Sequence, residues 1–305
     1  MSGPVTADDA RPGEADCGRP DAPEVEVTAS RDADVGGVAV RRALPRRTRR
    51  TVGAWCFADH FGPAPSPPGM AIGPHPHTGL HTVTWLLEGS LLHRDSLGSE
   101  QLIRPGQLNL MTAGHGVTHA EETPAGPPTH QHGIQLWVAQ PEATRHGQPA
   151  FEHHAELPRA DLGAAHATVL VGSLAGAASP ARQDTPLLGA ELAIAGAGAV
   201  DLPLDPAFEH ALVVLDGAVA VGDATVGPGA LAYLGRGRDA LALTATGPTR
   251  ALLLGGEPFA EPIVMAWNFV GRSRDELDRA AADWNAGDGD RFGPVASALP
   301  RIPAP

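Results

Sequence analysis

The stretch GPHPHTGLHTVTWLLEG at 73–89 sets His75, His77 and His81 just before an apolar run. His75 and His77 are two apart, so in an extended segment both side chains leave the same face while Pro76 points away. Two imidazoles on one face suit one metal ion. Downstream, MTAGHGVTHAEETP repeats the spacing with His119 and Glu121. Imidazoles with one carboxylate and open positions are the donor set of a non-haem Fe(II) centre, with Mn, Cu, Ni and Zn as rivals. Such donors bind at about 2.0–2.2 Å. A single strand histidine is ordinarily structural, but His-x-His followed after a strand-turn-strand unit by His-x-Glu is hard to obtain from packing alone. His75, His77, His119 and Glu121 are therefore the expected ligands of one divalent ion, most simply Fe(II), and Glu121 doubles as the candidate catalytic base.

The other histidines carry weaker signals. His81, four beyond His77, could share the ligand face and is expected to shape the pocket beside the metal. His115 stands between Gly114 and Gly116, at the place of a pocket mouth, while His130, His132, His153 and His154 read as surface or loop residues. No Ser-His-Asp order, P-loop or GxGxxG context accompanies them.

Strands must position these residues. Short alternating or apolar segments such as TVTWLLEG, QLNLMTAG and GIQLWVAQ are separated by Gly and Pro turns, and 37 glycines and 30 prolines fit a mostly-β chain. The chain also resembles itself: WLLEGSLL (85–92) matches VVLDGAVA (213–220), and IRPGQLNLM (103–111) matches TVGPGALAYL (225–234). Two related β-domains in tandem follow, the second bearing LPLDP and LALTA near the places of the two ligand pairs. It keeps the scaffold without the ligands. The expected division is a disordered tail at 1–22, a metal-binding domain at 23–145, a linker at 146–160 and a metal-free domain at 161–305. Near the end, SRDELDRAAADWNAG predicts an amphipathic helix. Ser273 and Glu276 form a capping box, Leu277, Ala280, Ala281 and Trp284 recur at helical spacing, and Gly287 closes it.

A formal net charge of −13 argues against a nucleic-acid or anionic-membrane partner. The basic run RRALPRRTRR (41–50) reads as a solvated loop. With only Cys17 and Cys56, no apolar run of membrane-spanning length and no signal-peptide pattern, the expected location is the cytoplasm.

At this point the residues resemble the pirin family of the cupin superfamily. The carriers are Gly69, five intervening residues and then His75 and His77, with HPHTGLHTVTWLLEG, HRDSLG, RPGQLNLMTAG, GVTHAEE and GGEPFAEPIV. The resemblance implies an all-β bicupin: two cupin β-barrels with a metal, usually iron, in the first only, and a closing C-terminal helix. The family's ligands fall on His75, His77, His119 and Glu121. Two departures affect the pocket lining: His81 stands where many cupins place a glutamate, and His115 where relatives often have Arg. Members are similar to quercetin 2,3-dioxygenases, which implies a phenolic substrate and O₂. Others are described as redox-sensitive co-regulators, which implies a protein partner, with the 41–50 run as a docking feature. A purely structural metal is the third reading.

Overall fold

The computed structural model describes residues 24–65, 70–124 and 130–305. The expected tail at 1–22 and Cys17 lie outside them. The described residues form two β-structures of one plan. In the first, a seven-stranded sheet runs in the order Ala150–His154, Leu108–Thr112, Leu80–Glu88, His130–Ala139, Trp55–Pro65, Val38–Leu44 and Arg31–Val35. It is accompanied by a four-stranded sheet of Ala71–His77, Val117–Glu122, Leu91–Asp95 and Glu100–Ile103. In the second, the seven strands are Glu26–Thr28, Leu231–Gly235, Glu209–Asp216, Thr249–Gly256, Leu187–Ile194, Ala165–Val171 and Arg159–Asp161. Its smaller sheet is Gly198–Pro203, Ala240–Ala245, Val219–Val221 and Ala224–Val226.

The internal repeat maps onto this plan. Leu80–Glu88 and Glu209–Asp216 hold the same place in their sheets, and each ends at a left-handed glycine, Gly89 (φ 85°) and Gly217 (φ 73°). Leu80–Glu88 is buried through its first seven residues because both its faces are covered. Val83 and Trp85 join a core shared with Ala211, Val213, Leu215, Leu252 and Leu254 of the second domain. On the alternate face, Thr84 donates to Gln135 Oε1 at 3.0 Å. The large sheets thus pack against each other.

Segments cross between the two halves. Glu26–Thr28 pairs with Leu231–Gly235 of the second sheet, and Ala150–His154 pairs with Leu108–Thr112 of the first. The C-terminal segment returns to the first barrel: Val270 N–H donates to Thr78 O at 3.0 Å and Ile302 N–H to Pro74 O at 2.9 Å. The helix spans Arg274–Ala286, with Ser273 accepting from Glu276 N–H and Gly287 closing it at φ 80°. Leu277, Ala280 and Trp284 are its buried residues, and Ala281 is half-buried.

Three sequence expectations are corrected here. The 41–50 run is a solvated loop only in part: Arg41 and Arg42 lie in the Val38–Leu44 strand and Arg49 is buried beyond it, while Arg47 is exposed. Arg42 makes a buried two-point pair with Asp59 at 2.8 and 2.7 Å, and the Arg49 guanidinium covers the Tyr233 ring at 3.4 Å. Burying those charges beside partners is what tolerates them in a core. His132 is buried within a strand, with Nε2 2.9 Å from Nε2 of His60. His81 faces the second domain rather than the pocket, because strand alternation puts it on the side of Val83 and Trp85. Its Nδ1 meets Thr112 Oγ1 at 2.9 Å and its Nε2 meets Asp184 Oδ2 at 3.1 Å.

Candidate metal centre

The Ala71–His77 and Val117–Glu122 strands lie side by side, and their register sets His75 opposite His119 and His77 opposite Val117. Paired residues of an antiparallel ladder share a face. A register shift between His119 and Glu121 then brings Glu121 opposite Ile72. On the other side, His119 pairs with Asp95 and Glu121 with His93 of the Leu91–Asp95 strand. All six polar side chains are buried, each no more than 4% exposed.

Donor atoms of His75, His77 and His119 lie within 4.8 Å of one another. Those of His93, His119 and Glu121 do likewise, so His119 is common to both groups. The structure therefore groups three of the sequence-predicted ligands, places the fourth, Glu121, in a second group that shares His119, and adds a residue that spacing gave no role. His93 lies in the HRDSLG stretch, and its available signal is another i, i+2 pair, His93 and Asp95, on one strand.

The outward nitrogens of the first two imidazoles are occupied. His75 Nδ1 is 2.9 Å from Gly73 O, and His77 Nδ1 is 3.0 Å from Asn268 O. A carbonyl can only accept, so each Nδ1 carries the proton and each Nε2 presents its lone pair. Asn268 comes from the returning C-terminal segment, which no local pattern around His77 announces. His75 Nε2 is buried without a hydrogen-bond partner, and His77 Nε2 lies 3.1 Å from His119 Nε2. Burial pushes the His75 imidazole down to about 4. Burial, together with the adjacent His75 ring, holds His77 and His119 well below the ordinary histidine value. Neutral imidazoles with inward lone pairs are the protonation state that metal ligation requires.

Around the donors, the Trp137 ring meets His77 edge-on at 5.3 Å, and Phe151 stacks on His93 at 4.4 Å. These rings keep water off the polar cluster. His115 sits in its glycine turn with Nδ1 3.0 Å from Gly147 O and its carbonyl accepting from Arg291 Nε at 3.0 Å. The second barrel has apolar pairs, Val200 with Leu243 and Leu202 with Leu241, in the corresponding small sheet. All four are buried, as expected of a copy that retains the scaffold without donors.

Comparison with known proteins agrees with both halves of the fold. The profile for pirin matches residues 37–138, and that for the pirin C-terminal cupin domain matches 189–293. A Pseudomonas aeruginosa protein provisionally named a quercetin 2,3-dioxygenase is 50% identical over 282 residues, covering 92% of this chain and 89% of its own. The crystal structure of a quercetin 2,3-dioxygenase from Acinetobacter baumannii superposes with a TM-score of 0.89 at 42% identity, over 92% of this chain and 95% of that one. A pirin from Escherichia coli, solved in complex with nickel(II), shares the fold at TM-score 0.62 and 17% identity, over 78% of this chain and all of that one. The chain belongs to the pirin family, with two cupin domains in tandem.

Proposed function

We propose that this chain is a quercetinase-like oxidoreductase: a metal-dependent dioxygenase that opens quercetin or a related flavonol, enediol or phenolic substrate with O₂. One divalent ion, Fe(II) in this reading, is held by His75, His77, His119 and Glu121. The observation that carries the reading is the convergence of buried imidazoles around the orphaned Nε2 of His75, two of them with Nδ1 committed to backbone carbonyls. The names of the Pseudomonas and Acinetobacter relatives support the reaction class.

When bound, the ion supplies the Lewis acidity and redox capacity that reaction with O₂ needs. The chain's own residues do the rest. Gly73 O and Asn268 O aim two imidazoles, and Trp137 and Phe151 exclude water. Glu121 accepts the proton of the substrate hydroxyl, the only carboxylate of the proposed ligand set able to do so. A partner-binding role finds less support in the basic run, because Arg42 and Arg49 are buried and paired and leave Arg47 as its exposed arginine. We assign the protein to the cytoplasm, a reading that the buried free thiol of Cys56 supports. We propose two domains on spans close to 23–145 and 161–305, with Glu26–Thr28 adding to the second sheet and the 146–160 connection carrying Ala150–His154, a strand of the first. Among the described residues, no helix is long and apolar enough to cross a membrane.

The test couples metal analysis to an oxygen electrode. Iron-loaded protein should consume O₂ with quercetin, His119→Ala should lose both metal and turnover, and Glu121→Gln should lose turnover more than substrate binding. No O₂ uptake above that of His119→Ala, across a panel of flavonols and catechols, would remove the enzymatic reading. Retention of nickel, manganese, copper or zinc in place of iron would reassign the ion alone.

A further inference from the structure

His75 and His77 are each aimed by a backbone carbonyl, but His119 has an imidazole against its Nδ1. His119 Nδ1 is 3.3 Å from His93 Nδ1, and His93 Nε2 is 3.0 Å from Asp95 Oδ2. Asp95 is in turn fixed by the N–H groups of Leu97 and Ser99, each donating to Oδ1 at 2.9 Å. The His93 ring is clamped flat on Phe151, with planes 14° apart. His93, Asp95 and His119 are all buried, so no bulk water substitutes for any of these partners.

We propose that His93 is a positioning residue for the metal centre. Held by Asp95, it keeps His119 in the tautomer that presents Nε2 to the ion. The inference rests on the metal reading above. A carbonyl accepts unconditionally, whereas a neutral imidazole accepts at Nδ1 only if its proton is on Nε2. Asp95, an acceptor when ionised, requires that proton on His93 Nε2. His93 Nδ1 is then a lone pair and accepts from His119 Nδ1–H. His119 Nε2 is consequently a lone pair facing that of His77 at 3.1 Å. Two such lone pairs repel unless a cation lies between them, so the relay prepares the site for metal and destabilises it without one. Partners of this kind around a ligating histidine alter metal affinity by about 10–100-fold.

The rival arrangement uses His93 itself as a ligand with His119 and Glu121. It would demand Nδ1 of His119, leave the orphaned Nε2 of His75 unserved and separate His119 from His77. Three variants of the full chain decide, with Co(II) as the probe, read by chelator competition and by X-ray absorption. His93→Leu and His93→Asn are nearly isosteric and both lose the ring, but the Asn Oδ1 stands where Nδ1 was and can accept. Asp95→Asn keeps an oxygen for Leu97 and Ser99, yet offers His93 a donor and so selects the wrong tautomer.

We expect His93→Leu and Asp95→Asn to bind Co(II) about 10–100-fold more weakly than wild type, and His93→Asn to recover most of that loss. The number of imidazoles around cobalt should be unchanged in all three. Wild-type affinity in both His93→Leu and Asp95→Asn overturns the proposal. So does equal weakness of His93→Leu and His93→Asn, which would mark a packing role, or the loss of one imidazole in the His93 variants, which would make His93 a ligand. If wild type takes up no Co(II), the metal reading itself fails; wild-type binding with insensitive variants sinks only the relay.

Discussion

Imidazole nitrogens that present lone pairs mark the candidate metal centre, while buried histidines outside it have a different consequence. His60 and His210 are both fully buried, and burial lowers their imidazoles to about 3 and about 4. An unfolded histidine titrates near 6.5, so the unfolded chain binds these protons first as the medium becomes acidic. Stability is full above that value and falls as pH drops from about 6.5 towards the folded values. Each of the two should cost about 1.4 kcal/mol between pH 7.5 and 5.5. Urea unfolding at both pH values checks this: His210→Leu should show a pH dependence smaller by that amount, and a profile parallel to wild type would refute the assignment. Cys56, pushed up to about 12 by burial, should stay unreactive to thiol reagents until the chain unfolds.

Strands and their junctions decide whether the donors meet. Gly79 follows the Ala71–His77 strand with φ 69°, and a Cβ there would stand 2.2 Å from Val270 O. Only glycine permits both the left-handed turn and the approach of the returning C-terminal segment that brings Asn268 to His77. Gly79→Ala should therefore lose at least about 1–2 kcal/mol from backbone conformation alone, and metal affinity with it. Thermal melts of the metal-free and metal-loaded variant measure the two losses separately. An unchanged melting temperature in both would show that this junction is not constrained as described. At the helix, Ser273→Ala should cost about 1 kcal/mol, since its hydroxyl accepts from Glu276 N–H.

The two barrels stabilise each other through their large sheets. Trp55 of the first barrel donates through Nε1 to Leu188 O at 3.0 Å and to Gly255 O at 3.2 Å of the second, and its ring fills the space that Gly189 leaves open. Glu209 of the second accepts from Gly53 N–H at 2.9 Å, while His81 of the first reaches Asp184. Burial pushes the Asp184 carboxyl up, but bonds from His81, Arg182 and Thr144 outweigh it and hold the group well below its ordinary range. Truncating Trp55→Ala should cost about 3–5 kcal/mol and split denaturant unfolding into two transitions. A single transition with the wild-type midpoint would argue against coupling through this contact.

The sequence by itself determined the all-β class, the tandem repeat, the capped helix and the His75, His77 and His119 group of the first barrel. Each of these is written in local order: period-2 alternation, a glycine after each acidic strand end, a hydroxyl three residues before a glutamate, and donors two apart on an extended segment. Tertiary structure alone decided the rest. Whether His81 points to the pocket or to the partner domain depends on which face of Leu80–Glu88 the second sheet covers, and a strand buried on both faces hides that choice. Arg42 and Arg49 look solvated in sequence because their partners, Asp59 and Tyr233, are remote in the chain. His93 and Asn268 join the centre only through strand register and a long return of the chain, and no spacing along a sequence encodes contacts made across it.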